Sequence, residues 1–532
     1  MPASRSSKTS PTSSLAPAAV LAAALLVSAA ALWWHFSQGW TLYYGDAEAH
    51  LNIARRILDS RTPGLEQIGT VWLPLPHALA ALTVGSSEMW RTGLAASLVS
   101  ALAHALSVWL MFLLLRRLTA NLAASLTGAA LLALNPNLLY LQSTPMTETL
   151  SIATLLATLY FCLRAIEGPA AWAAAAGLAA LAATLTRYEA WFLLPAYALY
   201  LALHRRWKAA FLFTLLASLG PLAWLAHNWW WWGDPLEFYR GPWSAQAIYR
   251  RALAQNMQRY PGDGDWQKAI EYYGAAVRAT AGWPLAWAGV AASLFCLTRR
   301  LALPALILFL PGVFYVLSMH GSGTPIYLPD RWPFSHYNTR YGLAILPALA
   351  FCLAAASRFH RALGPLLLAG ALSPWLIQPS PEAWICWRES EINSRARRQW
   401  SGQAAAFLAA HYRGGGIAAS FGDLAGIFRR AGIPFREMLQ EGQGAYWLGA
   451  LARPELLLHE EWAITLSGDT LSNALARAAR HGLRYDCARR IEVKGAPVVE
   501  IWRLSSRVPP PLIEPPSDEE PLDFEEALRR VP

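Results

Sequence analysis

Residues 15–34 read LAPAAVLAAALLVSAAALWW, and residues 43–50, a short connection later, read YYGDAEAH. The first stretch carries no charge and has about the length that a helix needs to cross a bilayer, roughly 20 residues. In the second stretch, Gly45 allows a sharp turn, and Asp46 is a suitable N-cap for a helix predicted to run to about Ser60. That helix is amphipathic and is expected to lie in the membrane interface. The two stretches indicate a membrane protein.

A cleavable signal peptide is the alternative for the first stretch, because Ser28-Ala29-Ala30 offers the small residues of a cleavage site. The apolar run is long enough to span, however, and it continues almost directly into the acidic helix. A retained membrane helix is therefore the favoured interpretation.

The composition extends this interpretation to the whole chain. Of 532 residues, 55% are hydrophobic, only 15% are charged and 26 are Trp, which is unusual for a soluble protein. The predicted spans are residues 15–34, 92–115, 121–141, 147–163, 170–185, 190–203, 209–230, 281–297, 301–319, 341–357 and 362–378. We therefore expect an α-helical polytopic membrane protein with about eleven transmembrane helices. The net charge of +10 comes largely from short turns between spans, so it implies no nucleic-acid partner.

The turns between the spans fall into two sets. The basic set contains Arg116-Arg117, Arg164, Arg205-Arg206 with Lys208, Arg299-Arg300, and Arg358 with Arg361. This set shares the side of the N-terminus, which the positive-inside rule makes cytoplasmic. Keeping it on one side requires two short helices broken at residues 187–189. We expect an integral, multi-pass protein of the bacterial inner or plasma membrane, with its active face extracytoplasmic.

Four regions follow from this pattern. Residues 1–14 are predicted to be a disordered cytoplasmic tail, and residues 15–380 form the transmembrane domain. Residues 388–505 alternate between helical and strand-like runs, with strands expected near 417–421, 455–458, 488–493 and 498–504, and are predicted to be a small extracytoplasmic α/β domain. Residues 506–532 are Pro-rich and then acidic, which predicts disorder.

Ionisable and polar residues concentrate in the non-basic turns, on one membrane face. The candidates are Asp46, Glu48, His50, His77, Glu148, Arg187, Glu189, Arg331, His336, Arg340 and Tyr341. Pumps and secondary transporters usually place ionisable groups in mid-membrane, whereas the span centres here are nearly free of them apart from His104. Chemistry at the outer interface is therefore favoured over passage through the bilayer.

Several short segments carry a resemblance to known enzymes. They are Tyr44-Gly45-Asp46-Ala47-Glu48, Asn135-Pro136 through Pro145-Met146-Thr147-Glu148, Leu185-Thr186-Arg187-Tyr188-Glu189, Asn338-Thr339-Arg340-Tyr341 and Leu346-Pro347. In this order, across residues 15–380, they resemble the GT-C superfamily of polytopic glycosyltransferases, and most the branch of protein mannosyltransferases, aminoarabinose transferases and Rgt-type sugar transferases. Protein mannosyltransferases have adjacent Asp and Glu, whereas Ala47 separates them here. The resemblance makes Asp46, Glu48 and Glu148 the catalytic candidates. The inserted Ala47 leaves the role of Glu48 and a protein acceptor open.

The resemblance implies transfer of a sugar from a polyprenyl-phosphate donor to an extracytoplasmic glycan, lipid or protein, with Asp46 as catalytic base and inversion. A carboxylate can take the proton of an attacking hydroxyl. A guanidinium suits the leaving phosphate, and the candidates are Arg340 and Arg187, then Arg331. The alternative for Arg187 is a salt bridge to Glu189 or an interface anchor, and for Arg340 an anchor. Glu148 either orients the acceptor or simply suits a helix N-terminus. Further substrate-binding candidates are Glu189, Tyr341, His77 and His336, although His336 also fits an ordinary loop histidine.

No cofactor is expected to be required. The alternative is a divalent metal such as Mg or Mn, for which Asp46, Glu48, His50 and Glu148 can offer ligands, although no tight spacing demands it. Two rival functions remain open. One is a transporter or flippase of a lipid-linked saccharide, and the other is a metal-dependent enzyme resembling oligosaccharyltransferases.

Overall fold

The computed structural model describes residues 12–360 and 362–507, which form a helical bundle followed by a small sheet. The predicted tail at 1–14 lies outside the described residues except for 12–14, which belong to the first helix. The predicted tail at 506–532 lies outside them from residue 508 onward. The prediction of disorder is wrong for residues 12–14 and 506–507, which belong to a helix and a strand, and it stays a prediction for residues 1–11 and 508–532.

The bundle contains eighteen α-helices among the described residues. The first nine are α1 (Thr12–Ser37), α2 (Gly45–Leu58), α3 (Leu75–Val84), α4 (Ser87–Thr92), α5 (Leu94–Thr119), α6 (Leu122–Ala133), α7 (Pro136–Leu141), α8 (Glu148–Glu167) and α9 (Ala171–Thr184). The next nine are α10 (Glu189–Leu203), α11 (Trp207–Trp232), α12 (Glu237–Arg240), α13 (Ala245–Ala254), α14 (Trp266–Ala281), α15 (Trp283–Ala292), α16 (Arg299–His320), α17 (Leu346–Ala356) and α18 (Leu363–Ile377). Asparagine caps explain two starts, because Asn121 accepts from the N–H of Ala124 before α6 and Asn135 from that of Leu138 before α7.

Each of the eleven predicted spans contains an apolar helix, but the helices differ in length. Among the described residues, six stretches of 20 to 26 residues are long and apolar enough to cross a bilayer, and a seventh is possible if α14 and the helix after it, bent by 110°, form one broken span. The other four predicted spans hold α6, α9, α10 and α18, which have 12 to 15 residues. At 1.5 Å per residue these four helices reach only about 18–23 Å, less than the ~30 Å hydrocarbon core. The structure therefore supports six to seven full-length spans, fewer than the eleven expected.

The basic turns gather at one end of the bundle. Glu167, the last residue of α8, accepts hydrogen bonds from Arg117 and from Arg300, the latter at 3.2 Å, and Arg206 donates to the Ile166 carbonyl at 3.0 Å. Arg361 lies outside the described residues. Glu148 opens α8 at its opposite end, about 30 Å away at the helical rise. The predicted break at residues 187–189 is present between α9 and α10.

A five-stranded sheet forms the C-terminal part, in the order β2-β1-β3-β5-β4. The strands are β1 (Ile417–Ala419), β2 (Met438–Leu439), β3 (Trp462–Leu466), β4 (Leu483–Ile491) and β5 (Val499–Arg507), and the helices around them are α19 (Ile385–His411), α20 (Ala425–Ala431), α21 (Ala445–Ala452), α22 (Pro454–Leu457) and α23 (Thr470–Ala478). β1 runs parallel to β2 and β3, whereas β5 is antiparallel to β3 and β4. The predicted strand at 455–458 is wrong, because Pro454 occupies the first turn of α22, where its fixed φ suits a helix.

Helix α19 joins the two parts of the molecule. The predicted domain start at residue 388 falls inside it, and its first turn packs on the bundle. The N–H of Cys386 donates to Asn137 at 2.9 Å, and the Tyr44 hydroxyl donates to the Cys386 carbonyl at 2.8 Å. An apolar core shared by both parts adds to this contact and includes Leu51, Ala54, Trp90, Ala95, Phe428, Phe435 and Ile464.

Gly342 allows the 3₁₀-helix Thr339–Ile345 to approach α14 closely. A Cβ at this position would lie 2.5 Å from the main-chain carbonyl of Ala276. We expect Gly342→Ala to cost about 1–3 kcal/mol of unfolding free energy, because backbone cannot yield as a flexible side chain can. Thermal unfolding in detergent measures the effect. Gly370→Ala is the control, since a Cβ there meets nothing within 4 Å, and equal loss in both variants would contradict the prediction.

Candidate active site

Arg340 lies at the end of the bundle opposite the basic turns. It stands at the start of the 3₁₀-helix and is only 4% exposed. Its Nη2 donates to Asp46 Oδ2 at 2.5 Å, and its Nε donates to Glu148 Oε1 at 3.1 Å. Its Nη1 donates to Glu389 Oε1 at 3.2 Å. One guanidinium therefore holds together α2, α8 and α19.

Arg187 supplies a second guanidinium beside the first. It lies in the turn between α9 and α10, where its Nε donates to Glu189 Oε1 at 2.6 Å. The salt bridge considered as an alternative is therefore present, but the side chain also reaches further. Its Nη1 donates to Glu148 Oε1 at 3.2 Å and its Nη2 to the Tyr315 hydroxyl at 2.7 Å. We call the set Asp46, Glu148, Arg187, Glu189, Arg340 and Glu389 the arginine–carboxylate cluster.

Aromatic rings cover both guanidiniums. The Tyr341 ring centroid lies 4.8 Å from Cζ of Arg340 and 5.2 Å from Cζ of Arg187. Tyr315 stacks on Tyr341 at 4.7 Å, and the Tyr44 ring lies 5.2 Å from Cζ of Arg340. The ring faces attract the cations and exclude water from them. The predicted Tyr341 is thus in contact with both predicted arginines.

Asp46 is the accessible member of the cluster. Its side chain is 45% exposed, whereas those of Arg340 and Glu148 are 5% and 7% exposed. The predicted capping role is wrong, because α2 begins one residue earlier and Tyr44 occupies the cap position. Asp46 instead lies in the first turn, where a negative charge is favoured by the helix dipole.

Gly45 serves a close contact rather than a sharp turn. It is the first residue of α2, and a Cβ on it would lie 2.6 Å from Nη1 of Arg397. Arg397 comes from α19 and donates to the Tyr43 carbonyl at 2.8 Å. The helix that leads into the sheet therefore packs directly against the residue before Asp46.

A cavity adjoins the cluster. Its polar wall contains Glu148, Arg187, Glu189 and Arg340, and its apolar wall contains Ile152, Leu155, Pro311 and Leu343. The space in it that a water-sized molecule can occupy is about 20 Å³. Glu148 uses Oε1 for both arginines, and its buried Oε2 has no hydrogen-bond partner among the described residues.

Glu389 is the member of the cluster that sequence reasoning missed. It is 2% exposed, and it accepts hydrogen bonds from the N–H of Asn338 at 3.0 Å and from the N–H of Thr339 at 2.8 Å. Burial raises the pKa of the Glu389 carboxyl, and the guanidinium of Arg340 and the bonds from Thr339 offset this only in part. No local pattern marks it, because Glu391 stands two positions later on the same helix and only packing distinguishes the two.

The four proposed metal ligands do not converge. Asp46 and Glu148 both bond Arg340, whereas His50 bonds His77 at 2.9 Å and Glu48 turns to other arginines. In the part of the chain that the structure describes, no group of three or more His, Cys, Asp or Glu side chains is arranged to hold a metal ion. The predicted ligand set therefore does not fit a metal in this structure.

Known proteins resemble this chain in part of its sequence and in its fold. The sequence profile of the dolichyl-phosphate-mannose–protein mannosyltransferase family matches residues 78–231. ArnT from Cupriavidus metallidurans bound to undecaprenyl phosphate is similar in structure with a TM-score of 0.53 and 13% identity, over 88% of this chain and 97% of that one. Apo ArnT has a TM-score of 0.53 and 14% identity over 91% and 97%. The Archaeoglobus fulgidus oligosaccharyltransferase has a TM-score of 0.46 and 12% identity over 90% and 72%. None of the curated proteins matches the chain.

The chain shares its fold with ArnT. The ArnT similarity extends over nearly the whole of both chains and establishes the fold, and the family profile agrees with it in the first half of the bundle. The chain is an integral, multi-pass membrane protein with a small C-terminal sheet domain.

Glu48 lies outside the arginine–carboxylate cluster. Its Oε1 accepts from Nη2 of Arg429 at 2.5 Å and from Nε at 3.0 Å, and Nε of Arg397 lies 3.5 Å from its Oε2. Burial opposes ionisation, but these guanidiniums outweigh it and hold the pKa of Glu48 below its ordinary value. The structure therefore places Glu48 at the contact between α2 and α20. Glu48 is two residues after Asp46, and side chains two positions apart lie on different faces of a helix.

Three further candidates also lie apart from the cluster. His77 is buried against His50, for which burial and the nearby guanidiniums lower the pKa to about 3. Arg331 pairs with Glu271 on α14, so the third phosphate-binding candidate is already engaged. His336 is a partly buried loop residue whose carbonyl accepts from Asn393. No contact joins any of the three to Arg340 among the described residues.

We expect Glu48→Gln to weaken docking of the sheet domain on the bundle. The substitution leaves the buried guanidinium of Arg429 and the partly buried one of Arg397 without their carboxylate, which costs about 3–5 kcal/mol. Thermal unfolding and limited proteolysis at pH 7 measure this loss. Glu88→Gln is the control, because Glu88 is 72% exposed and its ion pair with Arg91 is long, at 3.8 Å. This substitution should change the unfolding midpoint little.

The ion pair between Glu48 and Arg429 also predicts that the stability of the protein depends on pH. Because the folded-state pKa of Glu48 lies below the ordinary value of 4.5, its stabilisation is present above pH 4.5 and is lost as the pH falls through the folded pKa. The difference in unfolding midpoint between the wild type and Glu48→Gln should therefore shrink on acidification below pH 4.5. An unchanged difference would contradict the assignment.

Proposed function

We propose that this enzyme transfers a sugar from a polyprenyl-phosphate-linked donor to an extracytoplasmic acceptor, which is a glycan, lipid or protein, with Asp46 as general base and inversion at the anomeric carbon. One observation carries the proposal. An accessible carboxylate, Asp46, is bonded at 2.5 Å to a buried guanidinium, Arg340, that also faces an apolar-walled cavity.

The chemistry follows from these two groups. The acceptor hydroxyl loses its proton to Asp46 as its oxygen bonds the anomeric carbon, and the bond from that carbon to the phosphate oxygen breaks with its electron pair leaving on the phosphate. Arg340 and Arg187 are placed to stabilise that charge through hydrogen bonds in a site shielded from water. A single displacement on one face of the carbon inverts its configuration. The free Oε2 of Glu148 can accept a hydroxyl of the sugar or of the acceptor.

The cavity supports a lipid-linked phosphate as donor. Two guanidiniums on one wall suit a phosphodiester, and leucine, isoleucine and proline side chains on the other suit a hydrocarbon chain. The shared fold with an ArnT structure that holds undecaprenyl phosphate adds support for a polyprenyl carrier.

The arrangement of the turns supports an extracytoplasmic site. The arginine turns meet at the end of α8 opposite Glu148, and basic turns favour the cytoplasm. On this basis the cluster and the sheet domain share the outer compartment of a bacterial inner or plasma membrane.

The decisive experiment uses purified enzyme in detergent with a panel of radiolabelled polyprenyl-phosphate sugars and a total membrane extract as acceptor. We expect Asp46→Asn to lower transfer by about 10²–10⁴-fold, because the amide cannot take the proton. Asp330→Asn is the matched control, because Asp330 is an acidic loop residue that is 66% exposed and, among the described residues, pairs only with its neighbour Arg331 at 3.7 Å. Equal transfer by Asp46→Asn and wild type would remove the proposed base and favour a lipid-linked saccharide transporter.

We further propose that no metal is required, since the predicted ligands are engaged elsewhere. Transfer by enzyme treated with EDTA should match that of untreated enzyme within twofold, on the order of experimental scatter, because positive charge already comes from two guanidiniums. Loss of transfer with EDTA and its recovery with Mg or Mn would contradict this and favour an oligosaccharyltransferase-like mechanism.

A further inference from the structure

Glu389 accepts a hydrogen bond from each residue of the segment 338–340, which carries Arg340. Besides the two main-chain N–H groups, its Oε2 accepts from the Thr339 hydroxyl at 2.5 Å, and its Oε1 from Arg340 Nη1 at 3.2 Å. Asn338 has a left-handed φ of 56°, which turns successive N–H groups toward one point, an arrangement that binds anions. The carboxylate of Glu389 occupies that point.

The three partners of Arg340 differ in how firmly they are held. Glu389 is 2% exposed and accepts four hydrogen bonds from three consecutive residues. Asp46 is 45% exposed, and Arg340 is its only salt-bridge partner among the described residues. An arriving phosphate therefore competes most easily with Asp46 for Nη2, while Glu389 keeps Nη1 in place. Release of Asp46 leaves its carboxylate available to the acceptor.

We propose that Glu389 is the positioning residue of this site: it anchors Arg340 so that donor phosphate can displace Asp46 without displacing the guanidinium. The proposal rests on the proposed function. It also makes α19, the first helix of the C-terminal part, a component of the donor site, although sequence reasoning assigned that helix to a separate domain.

Glu389→Gln tests the proposal. The glutamine side chain has the same shape, but its NH₂ group faces the N–H and O–H donors of residues 338–340 and cannot accept from them. We expect the apparent Kd for polyprenyl phosphate, followed by tryptophan fluorescence, to rise about tenfold, and kcat/KM for the donor to fall about 10²-fold, with KM for the acceptor unchanged. Glu391→Gln is the matched control, since that carboxylate pairs with Arg395 at 2.7 Å on the same helix. It should behave as wild type.

A double-mutant cycle separates positioning from a merely structural role. If Glu389 acts through Arg340, Glu389→Gln adds little to Arg340→Lys in donor binding, whereas independent effects multiply. The proposal is overturned if the effects of the two substitutions on donor binding multiply. It is also overturned if Glu389→Gln has the Kd and the kcat/KM of the wild type. If wild type itself neither binds polyprenyl phosphate nor transfers sugar, the proposed function fails, and the positioning role fails with it.

Thr339→Val keeps the test decisive if Glu389→Gln does not fold. It removes one hydroxyl donor to Glu389 and leaves the charge in place. Donor kcat/KM should fall about threefold to tenfold, the equivalent of one hydrogen bond, with acceptor KM unchanged. An unaltered donor kcat/KM in this folded variant would count against the proposal.

Discussion

A guanidinium withdrawn from water must be surrounded by acceptors, and this requirement organises the end of the bundle opposite the basic turns. Arg340 is buried, and each of its three nitrogen atoms bonds a different carboxylate. The three carboxylates come from α2, α8 and α19, so one charge determines how the first polar helix, the middle of the bundle and the helix into the sheet meet. Without any one of these helices, the guanidinium would lack a partner.

Much of this cluster could be predicted from the sequence. Asp46, Glu148, Arg187 and Arg340 stand in or beside turns between long apolar runs, and hydropathy alone assigns those turns to one face. Charged groups on one face, with few alternatives nearby, pair with one another because isolated charges beside a bilayer are costly. The break at residue 187 followed from the same rule, since only two short helices keep the basic turns together.

The other features of the site and the fold depend on side-chain directions and helix lengths, which composition does not encode. Glu48 is two residues from Asp46, but helical geometry sends it to Arg429 in the sheet domain. Glu389 lies beyond the last apolar run, and its role comes from packing against Asn338, far away in the chain. The strand predicted at residues 455–458 is instead mostly part of α22, and helices such as α6 are as apolar as predicted but too short to span alone.

The place of Glu389 in the chain also bears on biosynthesis. Arg340 belongs to the bundle, but its anchor is translated only after α18 has been completed. Until then the N–H groups of Asn338 and Thr339 and one edge of the guanidinium lack their acceptor. This end of the bundle is therefore completed after its apolar helices, and a ribosome that stops before α19 releases a chain in which those helices are present but the arginine–carboxylate cluster is unfinished.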